Sequence, residues 1–193
     1  LKTADQLNLR DGLVQSWGDF NNVVLDDFED NDVTNWTSSD TTNTKVAATT
    51  TQIKVNDYSF AITTVVGSSK TDTATTTPGT TNWSSYERLG FWLRAGYTTT
   101  STDATATQII SVMLNDTASG TASTTITINE MDNWQYHEWA LSTLDSVAID
   151  SVDWVGFRID VDYGSPLFYI DQIKLYDSDL QAGEMFVDSE GSL

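Results

Sequence analysis

The sequence predicts an all-β fold, an antiparallel β-sandwich of the jelly-roll kind with short N- and C-terminal arms. Short stretches of alternating apolar and polar residues follow one another, and turn-rich segments separate them. Threonine, which favours strands, occurs 30 times in 193 residues, and amphipathic helical patterns are nearly absent. A chain of this length can form one large β domain and bury an ample core without disulfides. The sequence contains no cysteine.

The alternating stretches divide the chain into a central domain and two arms. We expect an N-terminal arm or short helix over residues 1–22, a jelly-roll sandwich over 23–176 and an acidic C-terminal tail over 177–193. The first residue is Leu rather than Met, so we expect a mature product or a fragment of a longer protein.

Ten stretches are predicted as strands, and the first and last are interpreted as counterparts in one sandwich. Residues 67–82 are predicted to be a Ser/Thr-rich loop. The predicted strands are Val23–Glu29, Lys45–Ala48, Thr51–Val55, Tyr58–Val66, Glu87–Ala95, Thr107–Leu114, Ala122–Ile128, Trp134–Leu141, Val152–Val161 and Phe168–Tyr176.

Alternation within two of these strands separates an inward apolar row from an outward row. In the strand over 87–95, the inward row is Leu89, Phe91, Leu93 and Ala95. In the strand over 152–161, the inward row is Val155, Phe157, Ile159 and Val161. The outward rows carry aromatic and charged residues, namely Arg88, Trp92, Arg94, Trp154, Arg158 and Asp160.

The charge of the chain excludes some classes of partner. The formal net charge is −19 and the pI is near 4.1. Because phosphate recognition needs clustered Lys and Arg, this charge argues against nucleic acid and against an anionic membrane as partners. No apolar run approaches the ~18 residues of a membrane span. We expect an extracellular protein at a cell surface or virion surface.

Five motifs occur in an order that resembles a known family. They are Leu25–Asp30 followed by Trp36, Tyr58–Ile62, Trp83–Tyr86 running into Leu89–Arg94, Trp134 with Trp139–Leu141, and Tyr169–Ile173. Together they resemble the carbohydrate-binding modules that have a galactose-binding-like jelly roll. The resemblance covers residues 23–176, although Ala140 stands where proline is common in that family. It implies a β-sandwich that binds glycans.

Catalytic residues are not predicted. His137 is the single histidine, and it shares a strand row with Trp139 and Leu141, which favours a partly buried structural role. No Ser-His-Asp set can be assembled from the sequence. Counting carboxylates does not exclude a glycosidase pair in a chain this acidic. The protein is predicted not to be an enzyme.

Three carboxylates are candidate ligands of a structural Ca²⁺ ion. Asp27 and Glu29 are two residues apart in a predicted strand, so we expect them on one face. The spacing around Asp171 breaks strict alternation and predicts a β-bulge that re-aims its side chain. Carboxylate and carbonyl oxygens suit Ca²⁺, and carbonyls of residues 31–35 could complete the site. The resemblance supports this site, whereas the alternative is a solvated acidic rim.

The outward tryptophans and arginines are candidate glycan ligands. Trp92, Arg94, Trp154 and Arg158 lie on the outward rows of two strands. Aromatic rings stack on the C–H faces of sugars, and guanidinium groups hydrogen-bond hydroxyls or carboxylates. The alternative is that a second apolar layer or the N-terminal arm covers these tryptophans, and that Asp160 pairs with an arginine.

Two functions follow, and fold alone does not decide between them. The first is a non-catalytic domain like a carbohydrate-binding module, which binds polysaccharide or surface glycan or mediates adhesion. The alternative is a structural or decoration domain of a virion or extracellular surface assembly. The arms favour the alternative, because they carry apolar residues with which a building block could contact neighbouring subunits: Leu9, Leu13, Val14, Trp17, Met185, Phe186 and Val187.

Overall fold

The structure is a computed structural model. It describes residues 7–10, 13–16, 22–42, 44–64, 73–97, 108–116, 118–128, 130–144, 149–159 and 166–177. The predicted C-terminal tail therefore lies outside the described residues, apart from Asp177.

Nearly all regular structure in the described ranges is β-strand. The other element is a short 3₁₀ helix at Leu141–Thr143, and no described helix is long and apolar enough to span a membrane. The strands are β1 (Leu7–Arg10), β2 (Leu13–Ser16), β3 (Asn22–Asp26), β4 (Thr37–Ser38), β5 (Thr44–Thr49), β6 (Ser59–Thr64), β7 (Thr73–Thr76), β8 (Arg88–Tyr97), β9 (Gln108–Asp116), β10 (Gly120–Ile128), β11 (Gln135–Ala140), β12 (Trp154–Ile159) and β13 (Pro166–Tyr176).

These strands form two antiparallel sheets and one separate hairpin. The six-stranded sheet has the order β11-β8-β13-β6-β5, and β3 pairs with β13 beside β6. The five-stranded sheet has the order β10-β9-β12-β7-β4, and β1 pairs with β2. The predicted antiparallel β-sandwich is confirmed, and its first and last strands are hydrogen-bonded neighbours because β3 pairs with β13.

The two sheets pack face to face through the inward rows that the sequence predicts. Leu89, Phe91 and Leu93 of β8 are buried, as are Val155 and Phe157 of β12. The Phe91 and Phe157 rings meet edge to face with centroids 5.1 Å apart, so the two rows contact one another across the sandwich. The outward rows of β8 and β12 consequently point in opposite directions.

The acidic segment after β3 inserts an aromatic ring into this core. Phe28 is fully buried and stacks on Phe60 at 5.2 Å, and Trp36 lies 4.5 Å from the same ring. Asp26 holds Phe28 and Trp36 in place. Its carboxylate accepts hydrogen bonds from the Phe28 backbone N–H at 2.9 Å and from the Trp36 indole N–H at 2.8 Å. Phe28 has a φ of 62°, so the regular strand ends before it.

Two predictions of local structure are wrong, and one of the two alternatives for residues 1–22 is excluded. Residues 51–55 are bends rather than a strand, and a strand, β7, lies within the predicted loop over 67–82. The arm over 1–22 contains the β1-β2 hairpin instead of a short helix. β7 pairs with both β12 and β4, so its threonines are ordered by neighbours that the local sequence does not reveal. The division into arm, sandwich and tail stays a prediction.

Gly90 tests the packing of the outer side of β8. A Cβ there would overlap the Tyr136 hydroxyl and lie 2.8 Å from both Tyr136 Cζ and Tyr176 Cε1. We expect Gly90→Ala to lower the free energy of unfolding by about 1–3 kcal/mol through overpacking. Urea denaturation measures this. Gly79→Ala is the control, because nothing lies within 4 Å of its added Cβ. Equal stability of the two variants would contradict the packing of Tyr136 and Tyr176 over Gly90.

Candidate functional site

The outer face of the six-stranded sheet concentrates aromatic and charged side chains. On β8 this face carries the outward row that includes Trp92 and Arg94, and strand register places residues of β11 and β13 beside them. We call this surface the front face and define it by Arg88, Gly90, Trp92, Arg94, Tyr136, Glu138, Tyr169, Asp171, Lys174 and Tyr176.

Trp92 lies at the centre of the front face. Its cross-strand partners are Tyr136 on one side and Asp171 on the other. The Tyr136 ring meets it edge to face at 5.2 Å, and the Lys54 ammonium lies 4.5 Å from the centroid of its ring. Trp92, Tyr136 and the nearby Tyr169 are each partly exposed. The arrangement offers aromatic surface with a cation directly above it.

A polar network borders these rings on β8, β11 and β13. Glu138 forms an ion pair with Arg88 at 3.4 Å and accepts a hydrogen bond from the Tyr176 hydroxyl. Burial raises the pKa of Tyr136 to about 12 and also raises the pKa of Tyr176, so both phenols stay protonated at neutral pH. This network fixes the two tyrosine rings over Gly90.

Arg94 is held at the rim of the front face. Its guanidinium contacts the Asp132 carboxylate at 3.1 Å and also donates to the Asp132 backbone carbonyl. Only 16% of its side chain is exposed, against 71% for that of Asp132. Tyr169 is the cross-strand partner of Arg94, so the guanidinium lies beside a third ring of this face.

Asp171 fastens a loop onto the front face. The register of β13 against β8 shifts between Asp171 and Lys174, and Gln172 has a φ of 49°, which confirms the predicted bulge. Asp171 is nevertheless fully buried. Its Oδ2 accepts hydrogen bonds from the backbone N–H groups of Lys54 and Val55, both at 2.9 Å. The carboxylate thereby places Lys54 next to Trp92.

Glu29 fastens the other end of the same loop. Its two carboxylate oxygens accept hydrogen bonds from the backbone N–H groups of Asp57 at 2.9 Å and Tyr58 at 3.1 Å. Burial raises the pKa of Asp171 to about 6, the backbone N–H groups of Val55, Lys54 and Gln172 oppose the rise, and the charge of Glu29 adds to it. The loop is therefore held by two carboxylates that repel one another.

The predicted calcium ligands are not brought together as a set of three. The expectation that Asp27 and Glu29 share a strand face is wrong, because β3 ends at Asp26 and Phe28 leaves the extended conformation. Asp27 is exposed, and its carboxylate accepts the Glu29 backbone N–H at 3.3 Å. Within the described part of the chain, no three His, Asp or Glu residues are grouped so that they could hold a metal ion.

The four predicted glycan ligands do not form one surface. Trp92 and Arg94 lie on the front face, whereas Trp154 and Arg158 lie on the outer face of the five-stranded sheet. Sequence alternation separates inward from outward residues but does not say to which sheet a strand belongs, which explains the error. We call the outer face of the five-stranded sheet, which carries Trp154 and Arg158, the back face. There Trp154 lies opposite Asn115, and Arg158 lies opposite Ser111. Both side chains are partly exposed.

His137 lies on the inward side of β11 at the edge of the sandwich. Its ring packs on Phe91 at 6.1 Å and is partly buried, in agreement with the prediction. Burial lowers its pKa below the usual value, so the ring is neutral at pH 7. This contact is a packing contact in the sandwich core.

Several residues of the front face were not singled out from the sequence. Tyr136 and Glu138 alternate with His137 and Trp139, and this period of two could have placed them on the outer side of β11. Tyr169 follows the same alternation in β13. Lys54 carries no such signal, because it belongs to a loop whose position depends on the distant Asp171.

Comparison with known proteins identifies the fold. No protein-family model matches the sequence, and no curated protein matches it significantly. A family 11 carbohydrate-binding module from Clostridium thermocellum, solved with a β-1,3-1,4-mixed-linked tetrasaccharide, superposes with a TM-score of 0.59 at 18% identity, over 81% of this chain and 95% of that one. The module TmCBM61, solved with β-1,4-galactotriose, gives 0.53 at 14% identity, over 78% and 93%.

A domain of a larger protein has the same architecture. The enzymatically active domain of tailspike protein 4 from bacteriophage CBA120 gives a TM-score of 0.51 at 17% identity, over 78% of this chain but only 20% of that chain. Identities this low show the fold alone. The described residues have the β-sandwich fold of carbohydrate-binding modules, as the sequence motifs predict.

Proposed function

We propose that the protein is a non-catalytic glycan-binding domain and that polysaccharide or surface glycan binds to its front face. The observation that carries this proposal is the cluster of Trp92, Tyr136 and Tyr169, three partly exposed rings on one sheet surface. Sugar rings present C–H faces to such rings and hydroxyls to the polar groups around them. Two solved modules with this fold are complexes with a tetrasaccharide and a trisaccharide, which supports the class of ligand.

The front face is also built rigidly enough to select a ligand. Glu138 orients the Tyr176 hydroxyl, and the tyrosine rings pack over Gly90, so the rings need little reordering on binding. Burial also raises the pKa of Tyr169, so the phenol of this partly exposed ring stays protonated and keeps a hydrogen-bond donor. These features suit recognition of a hydroxyl-rich surface without a chemical step.

The alternative function is a structural domain of a virion or surface assembly. The tailspike match supports it only as a shared architecture, since the match covers 20% of that longer chain. Under this alternative the arms over 1–22 and 177–193 contact neighbouring subunits. An extracellular, cell-surface or virion-surface location is part of both proposals, whereas adhesion belongs to the glycan-binding proposal and protein-protein contacts belong to the alternative.

Ca²⁺ is proposed as a structural ion between Asp171 and Glu29. Asp171 Oδ1 is buried and has no hydrogen-bond partner among the described residues, so it has a free lone pair in a desolvated position. Carboxylates of this kind suit Ca²⁺, although two of them require backbone carbonyls to complete the 6–8 ligands. When bound, the ion would neutralise the repulsion between the two carboxylates that fasten the loop.

The tryptophans on opposite faces provide a test of the glycan site. We expect Trp92→Ala to weaken binding of mixed-linkage β-glucan or β-1,4-galactan oligosaccharides by roughly 1–3 kcal/mol, because a stacking surface is lost. A glycan array followed by isothermal titration measures the effect. Trp154→Ala is the matched variant on the back face, and its affinity should equal that of the natural protein within experimental error. The reverse pattern would move the site to the back face, and an array without any hit would remove the proposal.

The Asp171 carboxylate provides a test of the metal site. In EDTA, the pKa of Asp171 is about 6 in the folded protein, above its value in the unfolded chain. The protonated carboxyl group therefore stabilises the fold below the unfolded pKa, and this contribution is lost as pH rises through 6. Asp171→Asn should therefore gain stability relative to the natural protein between pH 4 and pH 7, by up to about 3 kcal/mol. Chemical denaturation at each pH measures the difference.

Calcium should cancel most of this difference in stability between the natural protein and Asp171→Asn. Binding to the folded state alone raises the stability of the natural protein by about 2.7 kcal/mol at a hundredfold excess over the dissociation constant. Magnesium at matched ionic strength should have less effect, and Asp171→Asn should lose the calcium response. Asp177→Asn, just beyond β13, should keep it. A response shared by Asp171→Asn, or absent from the natural protein, would leave Asp171 as a loop clamp only.

A further inference from the structure

The few cations of this acidic protein are not distributed evenly. The structure describes six Lys and Arg side chains: Lys45, Lys54, Arg88, Arg94, Arg158 and Lys174. Four of them lie on the front face or directly above it, around Trp92 and Tyr136. Lys45 lies on the same sheet but on β5, three strands away from β8, and Arg158 lies on the back face.

The carboxylates near the front face are already engaged by protein groups. Glu138 pairs with Arg88, Asp132 pairs with Arg94, and Asp171 is buried under the loop that it holds. Most acidic residues lie elsewhere, in the loops and arms of a chain with 28 Asp and Glu residues. The exposed part of the front face is therefore locally less negative than the protein as a whole.

Lys54 places a positive charge where a stacked sugar would lie. Its ammonium is 4.5 Å from the Trp92 ring centroid, and neither ion pair among the described residues involves it. The residue is exposed, and its backbone N–H is held by Asp171. A pyranose ring that covers Trp92 would displace the ammonium sideways, and a negative group on that ring would keep it close.

Lys174 supplies a second ammonium on the same surface. It lies across from Gly90, the position over which the Tyr136 and Tyr176 rings pack. The side chain is partly buried, and its Nζ donates to the Gln172 side-chain oxygen at 3.1 Å. A partly desolvated ammonium interacts more strongly with an anion than one in bulk water does. Lys174 thus adds a second ammonium to the sheet surface that carries the aromatic rings.

We infer that the front face takes an acidic polysaccharide, whose sugar rings carry carboxylate or sulfate groups. The inference rests on the proposed glycan binding and names its substrate class. The rings supply stacking surface, and the two lysines supply charge-assisted hydrogen bonds to the anionic groups. The net charge of −19 opposes approach at long range, but physiological salt screens charges beyond about 8 Å and screens close contacts less.

The test compares acidic glycans with their neutral forms on the full chain. Trigalacturonate and its methyl ester differ only in the carboxylate charge, and a sulfated galactan oligosaccharide and its desulfated form isolate the sulfate charge. Titrations at 0.15 M salt, about the physiological ionic strength, should show at least tenfold tighter binding of one acidic form than of its neutral form, since each charge-assisted contact is worth about a factor of ten. The pair that shows this difference identifies the anionic group.

The lysine variants assign the preference to the front face. Lys54→Gln and Lys174→Gln should each lower affinity for the acidic form by about tenfold and leave affinity for the neutral form unchanged. Lys45→Gln makes the same change in charge three strands away and should retain the preference. Circular dichroism of all three variants checks that they are folded.

The outcomes separate the two proposals. Equal or tighter binding of the neutral forms by the natural protein would overturn the acidic ligand and leave glycan binding intact. A preference for acidic forms that Lys45→Gln removes as strongly as Lys54→Gln would show a general charge effect and would also overturn the inference. Failure of all acidic and neutral glycans to bind would overturn both proposals.

Discussion

The buried Asp171 carboxylate is the constraint on which the front face depends. It lies at the bulge of β13, opposite Trp92, where an outward side chain would ordinarily meet solvent. The backbone N–H groups of Lys54 and Val55 cover it instead, so a loop from the chain's first third is tied to its last strand. A charged group that is buried in this way costs free energy unless it is compensated, and its raised pKa reflects that cost.

This constraint links the fold to the binding surface. β3 and β13 pair although they are distant in sequence, so their association carries a loop-closure cost. The core offsets that cost through Phe28, Trp36 and Phe60, and Asp26 orients two of these three rings. Glu29 and Asp171 then hold the following loop in place, which puts Lys54 above Trp92. Stability and recognition therefore share one corner of the sandwich.

The sequence predicts the parts of the structure that local alternation determines. The inward rows of β8 and β12 are as expected where they are described, because successive side chains of a strand alternate between its two faces and the large apolar set is buried. Val161, the last residue of the predicted row, lies outside the described residues. The bulge at Asp171 also follows from a break in alternation. β7 was missed because four short Thr and Ala residues are ordered by their neighbours on both sides rather than by their own pattern.

The candidate site could be predicted only in part, because local alternation does not determine which strands pair. Alternation places Trp92 and Trp154 outside the core, but the assignment of their strands to different sheets depends on long-range pairing. Lys54 belongs to the site through contacts with residues more than a hundred positions away. The expectation that Asp27 and Glu29 share one strand face is wrong, because Phe28 between them adopts a left-handed backbone conformation that the alternation of residues does not predict.

The most direct test of glycan binding on the front face is a titration followed through the indole N–H signals of the seven tryptophans. A ¹H–¹⁵N correlation spectrum, with Trp92 and Trp154 assigned from Trp92→Phe and Trp154→Phe, is recorded with increasing trigalacturonate and, separately, mixed-linkage tetrasaccharide. The account predicts saturable shifts of the Trp92 signal with at least one saccharide, while the Trp154 signal stays in place. Saturable shifts confined to Trp154, or no shift at Trp92 with either saccharide, would contradict it.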